Sequence, residues 1–249
     1  MPFVGTRDVA ADLAPLTVMP SLDTEALLLP DCRQLQIIYE IDETVMLDLI
    51  PPALHPTIPP TLIINVIAAD EGPLGAFTLV LVRIGCRSGA RPRGLTIQAV
   101  CDGSEAAAAL ATRWGFPIVE GDAQLMRNYD RIRATAAVDG EIVLDAELMN
   151  PEPINGQDIL YLANLNVARV QRNGGEQVRL VQVDAEYVFK NADRGAPQLL
   201  EFDADAFNVP GCEPIWPVSA SYTTVDMNLP AIRYLVDPAK GPGDSVEKL

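Results

Sequence analysis

Few side chains in this sequence have both the chemical type and the setting that catalysis needs. The single histidine, His55, lies in a proline-rich segment, and the four cysteines, Cys32, Cys86, Cys101 and Cys212, are far apart. Neither a Gly-x-Ser-x-Gly nor a His-Glu-x-x-His pattern occurs. The sequence therefore favours no serine triad, no metal centre and no disulfide framework, and we expect no metal and no cofactor.

Two amides stand inside apolar strands. Asn65 lies in the run Leu62–Ile67, and Gln98 lies in Thr96–Val100, so both amides are predicted to be buried and must find partners. They could polarise a substrate carbonyl or hold an enolate oxygen, or they could bond to backbone groups inside the protein. We predict both as candidate catalytic residues.

A third candidate is a carboxylate. Glu120 follows a Phe-Pro turn and could act as a general base if burial raised its pKa, although such a segment is also typical of a solvated turn. Asp145 and Glu147 share one strand face and would suit a carboxylate pair, or a charge ladder with arginines on the facing strand.

Four arginines surround the predicted turn at residues 88–94. They could bind a substrate carboxylate at the rim of the fold, or they could be the solvated tip of a hairpin. The four are Arg83, Arg87, Arg91 and Arg93.

Composition limits the partners. The formal net charge is −16 and the sequence pI is about 4.3. A surface this negative repels phosphate, which argues against nucleic acid or an anionic membrane. The longest apolar runs are of strand length, and charged residues interrupt the N-terminal segment, so we expect a cytoplasmic protein whose thiols are reduced.

The hydrophobic period is mostly two. The pattern predicts about ten strands, with a helix capped by Asp42, a second helix capped by Ser104, a hairpin turning at Asp139-Gly140 and another turning at residues 173–175. We expect a mostly β, single-domain antiparallel barrel at residues 30–238. An N-terminal arm at residues 1–29 and a flexible tail at residues 239–249 complete the prediction.

The string Trp114-Gly115-Phe116-Pro117, between an alanine-rich helix and a hairpin, resembles the acetoacetate decarboxylase family. Tyr39–Asp42 before a short helix, and the closing segment from Leu199 to Pro230, are similar to that family's opening and C-terminal third. The resemblance covers about residues 30–237 and implies a cone-shaped β barrel with an apolar pocket. Family members form a Schiff base on a lysine that follows this string.

Here the resemblance places that lysine on Ile118, and its partner lysine on Val119. The chain has only three lysines, Lys190, Lys240 and Lys248.

The remaining pocket positions implied by the resemblance are mostly neutral. The family's pocket glutamates fall on Leu79 and Asn65, and its arginine falls on or beside Arg33. Arg113, Trp114, Phe116 and Ile118 complete the predicted substrate-binding set. This pattern implies a pocket rebuilt for another substrate, since leftover buried charges without partners would be costly.

Two functions follow from this sequence. The first is an acetoacetate decarboxylase-like enzyme, of lyase or cyclase type, that acts without an imine on a small β-keto acid or polyketide-like carbonyl compound. Decarboxylation, hydration or dehydration, aldol-type cleavage and cyclisation all pass through such an enolate. The second is a non-catalytic barrel that binds a hydrophobic acid or carbonyl ligand. We expect a homo-oligomer in either case.

Overall fold

The computed structural model describes residues 3–13, 16–172 and 174–249. The helices are α1 (Val9–Asp12), α2 (Glu43–Leu49) and α3 (Ser104–Trp114), with a 3-10 turn at Gly156–Asp158. The strands are β1 (Thr17–Met19), β2 (Leu27–Glu40), β3 (His55–Pro56), β4 (Thr61–Ala69), β5 (Phe77–Ser88), β6 (Arg91–Cys101), β7 (Ile118–Glu120), β8 (Asp122–Arg127), β9 (Arg131–Val138), β10 (Glu141–Pro153), β11 (Asn164–Arg172), β12 (Gly175–Val183), β13 (Glu186–Phe202), β14 (Trp216–Leu229), β15 (Tyr234–Val236) and β16 (Val246–Lys248).

The described strands form one large, mostly antiparallel sheet. Its order is β16-β15-β12-β11-β6-β5-β4-β2-β14-β13-β10-β9-β8, with β1 and β7 added in parallel to β11 and β6. The two ends of this order do not pair with each other. The prediction of a mostly β fold is confirmed, but the hydrogen-bonded sheet is open, and β8 instead packs across onto β4, β5 and β6.

Strands β4, β5 and β6 are buried on both faces, as their continuous apolar sequences predict. On one face lies the first core, which includes Ile64, Val82, Val100 and the side chains of β8–β10. On the other face lies the second core, which includes Leu79, Leu81, Trp114 and other residues of α3.

Several expected boundaries differ in the structure. Strand β2 begins at Leu27, inside the expected N-terminal arm. Strand β16 lies inside the expected flexible tail, where it pairs with β15 of the preceding segment. The segment Ile159–Ala163 before β11 is irregular, and Asp184 and Ala185 separate β12 from β13. Asn173, in the predicted second turn, lies outside the described residues. Among the described residues, no helix has the length and apolar character needed to cross a membrane.

Helix α3 ends where the Trp-Gly-Phe-Pro string begins. Gly115 takes a φ of +69° and its N–H bonds to the carbonyl of Ala111, as expected for a left-handed helix end. The cap at the other end was predicted wrongly: Gly103 precedes the helix and no side chain caps it. Asp42 does cap α2, since its carboxylate accepts from the N–H groups of Thr44 and Val45.

Gly115 is also crowded. A β-carbon at this position would lie 2.9 Å from the Met19 sulfur and 3.1 Å from the Ala168 β-carbon. Gly140 has a similar φ of +83° but no atom within 4 Å of such a β-carbon. Gly140→Ala should therefore cost only the backbone penalty, about 1 kcal/mol, whereas Gly115→Ala should cost about 1–3 kcal/mol more from overpacking. Urea unfolding of both variants measures the difference, and equal losses would contradict this packing.

Candidate functional site

One row of side chains crosses four neighbouring strands on the face of the second core. Asn65 of β4 pairs with Leu81 of β5, which pairs with Ala99 of β6, which pairs with Ile118 of β7. Paired residues in a ladder point to the same face of the sheet. The position where the resemblance places the Schiff-base lysine is therefore in the same row as Asn65.

A small cavity lies over this part of the sheet, and we call it the Arg83 cavity. Its volume is about 20 Å³, which is enough for about one water molecule. Three predicted site residues line it: Asn65, Leu79 and Phe116. Its other lining residues are Leu29, Gln34, Ile67, Phe77, Leu81, Arg83, Leu110, Asn164, Ala185, Tyr187, Met227 and Leu229.

Arg83 is the charged group of this cavity. Only 2% of the residue is exposed, and no Asp or Glu oxygen of the described residues lies within 4.0 Å of its nitrogens. Its guanidinium donates to three neutral acceptors: the carbonyl of Leu162 at 2.9 Å, Oδ1 of Asn164 at 2.6 Å, and Oδ1 of Asn65. Its Nε is buried without a partner. A buried cation without a carboxylate is costly, so the cavity has an unmet demand for negative charge.

The pKa values of the cavity follow from this burial. Removal from water lowers the pKa of Arg83 to about 10, so the group still carries its charge at neutral pH. Burial also raises the pKa of Tyr187 to about 12, and the nearby charge of Arg83 opposes that rise. Tyr187 therefore keeps its proton at neutral pH.

A chain of hydrogen bonds fixes the orientation of Asn65. The Leu160 carbonyl can only accept, so it takes the Nε2 hydrogen of Gln36 at 3.2 Å. Gln36 Oε1 then accepts from Nδ2 of Asn65 at 3.4 Å, which leaves Oδ1 of Asn65 for Arg83. Both the nitrogen and the oxygen of the Asn65 amide are therefore already hydrogen-bonded, so Asn65 has no ready donor for a substrate oxygen. The donor without a partner in this cavity is Nε of Arg83.

Gly94 of β6 makes room for the guanidinium. A β-carbon on Gly94 would lie 3.1–3.3 Å from Nη1, Cδ and Cζ of Arg83, which is tighter than ordinary van der Waals contact. A side chain at this position would therefore displace the guanidinium by a few tenths of an ångström. The lack of one is part of what positions Arg83.

Gln98 lies on the opposite face. Val82 pairs with Gln98 and Arg83 pairs with Thr96, so Ile97 is an extra residue that shifts the alternation of β6. Gln98 consequently points with Val82 toward the first core, where its Nε2 donates to the Ala206 carbonyl at 2.6 Å and its Oε1 accepts from Asn208. The structure does not bring Asn65 and Gln98 together, and Gln98 has the backbone partner that the alternative interpretation predicted.

Gln98 and Ile118 do line one common cavity. This second cavity measures about 130 Å³ and is separate in its lining from the Arg83 cavity. The amide nitrogen and the amide oxygen of Gln98 are both already hydrogen-bonded. Pro117 and Ile97 supply apolar walls. It therefore offers no free charged group to a ligand among the described residues.

The other predicted residues serve elsewhere. Glu120 is exposed at the end of β7. Arg33 forms an ion pair with Asp70 at 2.6 Å and donates to the Leu125 carbonyl, on the side of β8. It does not line the Arg83 cavity.

Arg113 and Trp114 anchor neighbouring segments. The Arg113 guanidinium lies 4.3 Å from the centre of the Trp114 ring and donates to the Glu25 carbonyl at 3.0 Å. Trp114 is buried, and its indole N–H bonds to the Pro230 carbonyl at 2.9 Å. The two side chains thus connect α3 to the segments around Glu25 and Pro230, and neither lines the Arg83 cavity.

The carboxylate pair forms a charge ladder. Asp145 is bonded by Arg133, and Glu147 lies 3.5 Å from Arg131 and 3.8 Å from Arg133. Both carboxylates are buried although their arginines are partly exposed. The four charges neutralise one another, so the pair is not free for acid or base chemistry.

Lys190 lies outside the Arg83 cavity. It is the extra residue in β13 where Phe189 pairs with Val225 and Asn191 with Thr224. Its Nζ lies 2.6 Å from a carboxylate oxygen of Asp31 and 2.6 Å from one of Asp226, which raises the pKa of the lysine. A lysine held in its protonated form cannot act as a nucleophile at neutral pH.

The sequence contained a signal for Arg83 that the turn interpretation missed. Residues 77–86 are apolar on both sides of this arginine, so it had to lie in a buried strand and not with Arg87 and Arg91, which are exposed. The expected rim cluster is thus wrong as a group. Its first member is the buried cation of the cavity.

Fold and site together define a mostly β protein with a buried cationic cavity on one face of a large sheet. The chain belongs to the acetoacetate decarboxylase family, whose model matches residues 14–237. None of the curated proteins compared with the chain matches it.

Solved structures share the fold at low sequence identity. An acetoacetate decarboxylase gives a TM-score of 0.74 at 16% identity, over 89% of this chain and 95% of that one. The Legionella pneumophila acetoacetate decarboxylase gives 0.72 at 16%, over 91% and 95%. The enduracididine biosynthesis enzyme MppR, complexed with a condensation product of pyruvate and imidazole 4-carboxaldehyde, gives 0.69 at 15%, over 86% and 90%.

The substitution Asn65→Asp tests the unmet charge directly. It places a carboxylate of nearly the same shape on Arg83, and a hydrogen bond to a charged group is worth about 1.5–3 kcal/mol. The carboxylate loses the Nδ2 hydrogen bond to Gln36, worth about 1 kcal/mol, so we expect a net gain of about 0.5–2 kcal/mol in the free energy of unfolding at neutral pH. Because Arg83 would depress the pKa of the new carboxylate, the gain should be lost as the pH falls below its unfolded pKa of about 3.9. Urea unfolding at neutral pH and below about pH 3.9 measures this gain and its loss. A variant that is less stable than wild type at neutral pH would contradict the inference that Arg83 lacks a negatively charged partner.

Proposed function

We propose that this chain is a lyase-type enzyme that acts on a small β-keto acid or polyketide-like carbonyl compound without a covalent carbon–nitrogen intermediate. Family membership and the enzymes that share the fold support an enzymatic role in general. The observation that carries the specific proposal is Arg83, a buried cation without a carboxylate partner, which lines the cavity beside Asn65.

The chemistry that Arg83 could support is the formation of an enolate. When a carbon–carbon bond next to a carbonyl breaks, its electron pair moves toward the carbonyl and leaves a negative oxygen. A guanidinium N–H that donates to this oxygen stabilises the transition state more than the neutral substrate, which is the requirement for catalysis. Dehydration, hydration and aldol-type cleavage generate the same charge.

Tyr187 is the proposed proton donor. It lines the Arg83 cavity, and its raised pKa of about 12 keeps it protonated until an enolate carbon needs a proton. The described residues that line the cavity include no Asp, Glu, His or Lys. Acid and base work would therefore fall to Tyr187 or to a group of the substrate itself.

A second function remains, a barrel that binds an acid or carbonyl ligand without turnover. The small volume of the Arg83 cavity and the lack of a carboxylate in its described lining favour it. Arg83 would then serve affinity alone. The two functions differ in one readout, because only the enzyme consumes a bound β-keto acid.

A lysine-free mechanism predicts the outcome of borohydride trapping. Wild type with acetoacetate and borohydride should give no mass increase, since Lys190 is held by two carboxylates outside the cavity. Ile118→Lys should give one reduced adduct on the new lysine, because this position packs partly buried against the second core and burial lowers an amine's pKa. Ile142→Lys, at an exposed site, is the matched control and should give none. An adduct on wild type would overturn the mechanism.

Turnover should depend on the charge of Arg83. Across a panel of β-keto acids, assayed by release of carbon dioxide or loss of substrate, Arg83→Met should lower kcat/KM by about 10²–10³-fold, the usual loss for an oxyanion donor. Arg83→Lys should retain part of the activity because it keeps the charge without the planar fork. Arg93→Met is the control, because Arg93 is also buried but does not line the cavity. Saturable binding with no turnover in wild type would establish the binding barrel instead.

A further inference from the structure

Beside the Arg83 cavity lies a much larger space, an open groove of about 830 Å³. The end of β10, the 3-10 turn that follows it and residues 187–193 of β13 supply most of its lining. Tyr187 lines both the groove and the Arg83 cavity, and no other residue in the described part of the chain does so. The groove and the cavity therefore meet at this side chain.

The two spaces differ in what they can hold. A cavity of about 20 Å³ takes one water molecule, and even acetate is larger. The volume of the groove, in contrast, falls within the range of about 300–1,000 Å³ that is usual for ligand pockets. A ligand whose acid group binds Arg83 must therefore widen the cavity, and the groove has room for the rest of that ligand.

Tyr187 is the part of the cavity wall that can move at least cost. Strands β4, β5 and β6 cannot move apart without breaking their ladders. Tyr187 can turn about its side-chain bonds instead, because the described residues form no hydrogen bond to its hydroxyl. Its ring is held by packing, with its centre 4.8 Å from that of Tyr161 and 6.3 Å from that of Phe189. A turn of this ring would join the cavity to the groove.

The chemistry of the groove suits an uncharged chain. Its two cations are already paired: Arg127 lies 2.8 Å from a carboxylate oxygen of Asp193, and Lys190 lies 2.6 Å from one of Asp31 and one of Asp226. The rest of its described lining is uncharged and includes both apolar side chains and amides. Among these residues no unpaired cation is left for a second acid group, whose burial there would be costly.

We propose that the ligand is an acid with an extended, uncharged chain: its head group, the acid with the neighbouring carbonyl, binds at Arg83, its chain passes Tyr187, and its tail lies in the groove. The inference rests on the proposed function in placing the head group at Arg83. It narrows the substrate class to β-keto acids longer than acetoacetate. It requires no turnover, so binding alone can test it.

The test is a series of 3-hydroxy acids with four, six and eight carbons, titrated by calorimetry. These acids keep the shape of the head group but, unlike 3-oxo acids, do not decarboxylate in solution. Each methylene that leaves water should lower Kd about two- to four-fold, so the eight-carbon acid should bind at least about ten-fold more tightly than the four-carbon acid. The six-carbon diacid 3-hydroxyadipate should bind about ten-fold more weakly than 3-hydroxyhexanoate, because its second carboxylate finds no unpaired cation.

Two variants locate the chain of the ligand. Asn191 is exposed and lines the groove, so Asn191→Trp should occupy the groove and remove the advantage of the longer acids. Leu200→Trp is the matched control, because Leu200 is exposed on the same strand but does not line the groove, and the advantage should remain. Urea unfolding checks that both variants fold. Val188→Trp, at a groove residue that is 65% exposed, repeats the test if Asn191→Trp does not fold.

The outcomes separate this inference from the proposed function. Length-dependent binding that Asn191→Trp removes, without turnover of any 3-oxo acid, would support the groove as the chain site and refute the enzyme. Arg83-dependent turnover with equal Kd values for all three lengths would refute the inference and leave the enzyme standing. Length dependence that survives the groove variants, binding that Arg83→Met leaves unchanged, or tighter binding of the diacid than of 3-hydroxyhexanoate would refute it as well.

Discussion

The structure depends on one electrostatic constraint, a guanidinium in the interior with no carboxylate beside it. By contrast, Lys190 of β13 is held by two aspartates on the outside. The three groups that accept hydrogen bonds from Arg83 in the described part of the chain are all amide or carbonyl oxygens. A negatively charged ligand that bonds to Arg83 would offset the cost of burying this cation, so the interior favours the binding of an anion.

The surrounding architecture is arranged around that cation. Gly94 leaves space on the neighbouring strand, and the Leu160 carbonyl orients Gln36, which in turn orients Asn65. Where the resemblance places an amine, Ile118 is apolar. The positive charge has therefore not disappeared from this face of the sheet but is carried by an arginine on β5, which cannot form an imine.

Sequence reasoning went furthest where a local pattern has a single structural outcome. Sequences that are apolar on both strand faces correctly predicted β4, β5 and β6. Asp139-Gly140 predicted the turn between β9 and β10, and Asp42 predicted the N-cap of α2. It failed where long-range geometry decides. The extra residue Ile97 turned Gln98 to the other core, and no local pattern at Gln98 announces such a bulge. The open ends of the sheet were equally hidden.

Arg83 is the instructive error. Grouped with its neighbours by proximity in sequence, it looked like part of an exposed turn, although its place among apolar residues of a buried strand already excluded that. The sequence analysis therefore predicted a pocket with only neutral donors and left out Arg83, the one charged donor that lines the cavity. Of the pocket residues expected from the resemblance, Asn65, Leu79 and Phe116 line the cavity, whereas Arg33, Arg113, Trp114 and Ile118 do not, and Arg83 was not among those expected.

A crystal structure of the protein grown with a small carboxylate would test the central claim most directly. The account predicts carboxylate density within hydrogen-bonding distance of the Arg83 nitrogens and no continuous density to any lysine. A side-chain carboxylate of the chain paired with Arg83, or an Arg83 side chain turned out to solvent, would contradict it.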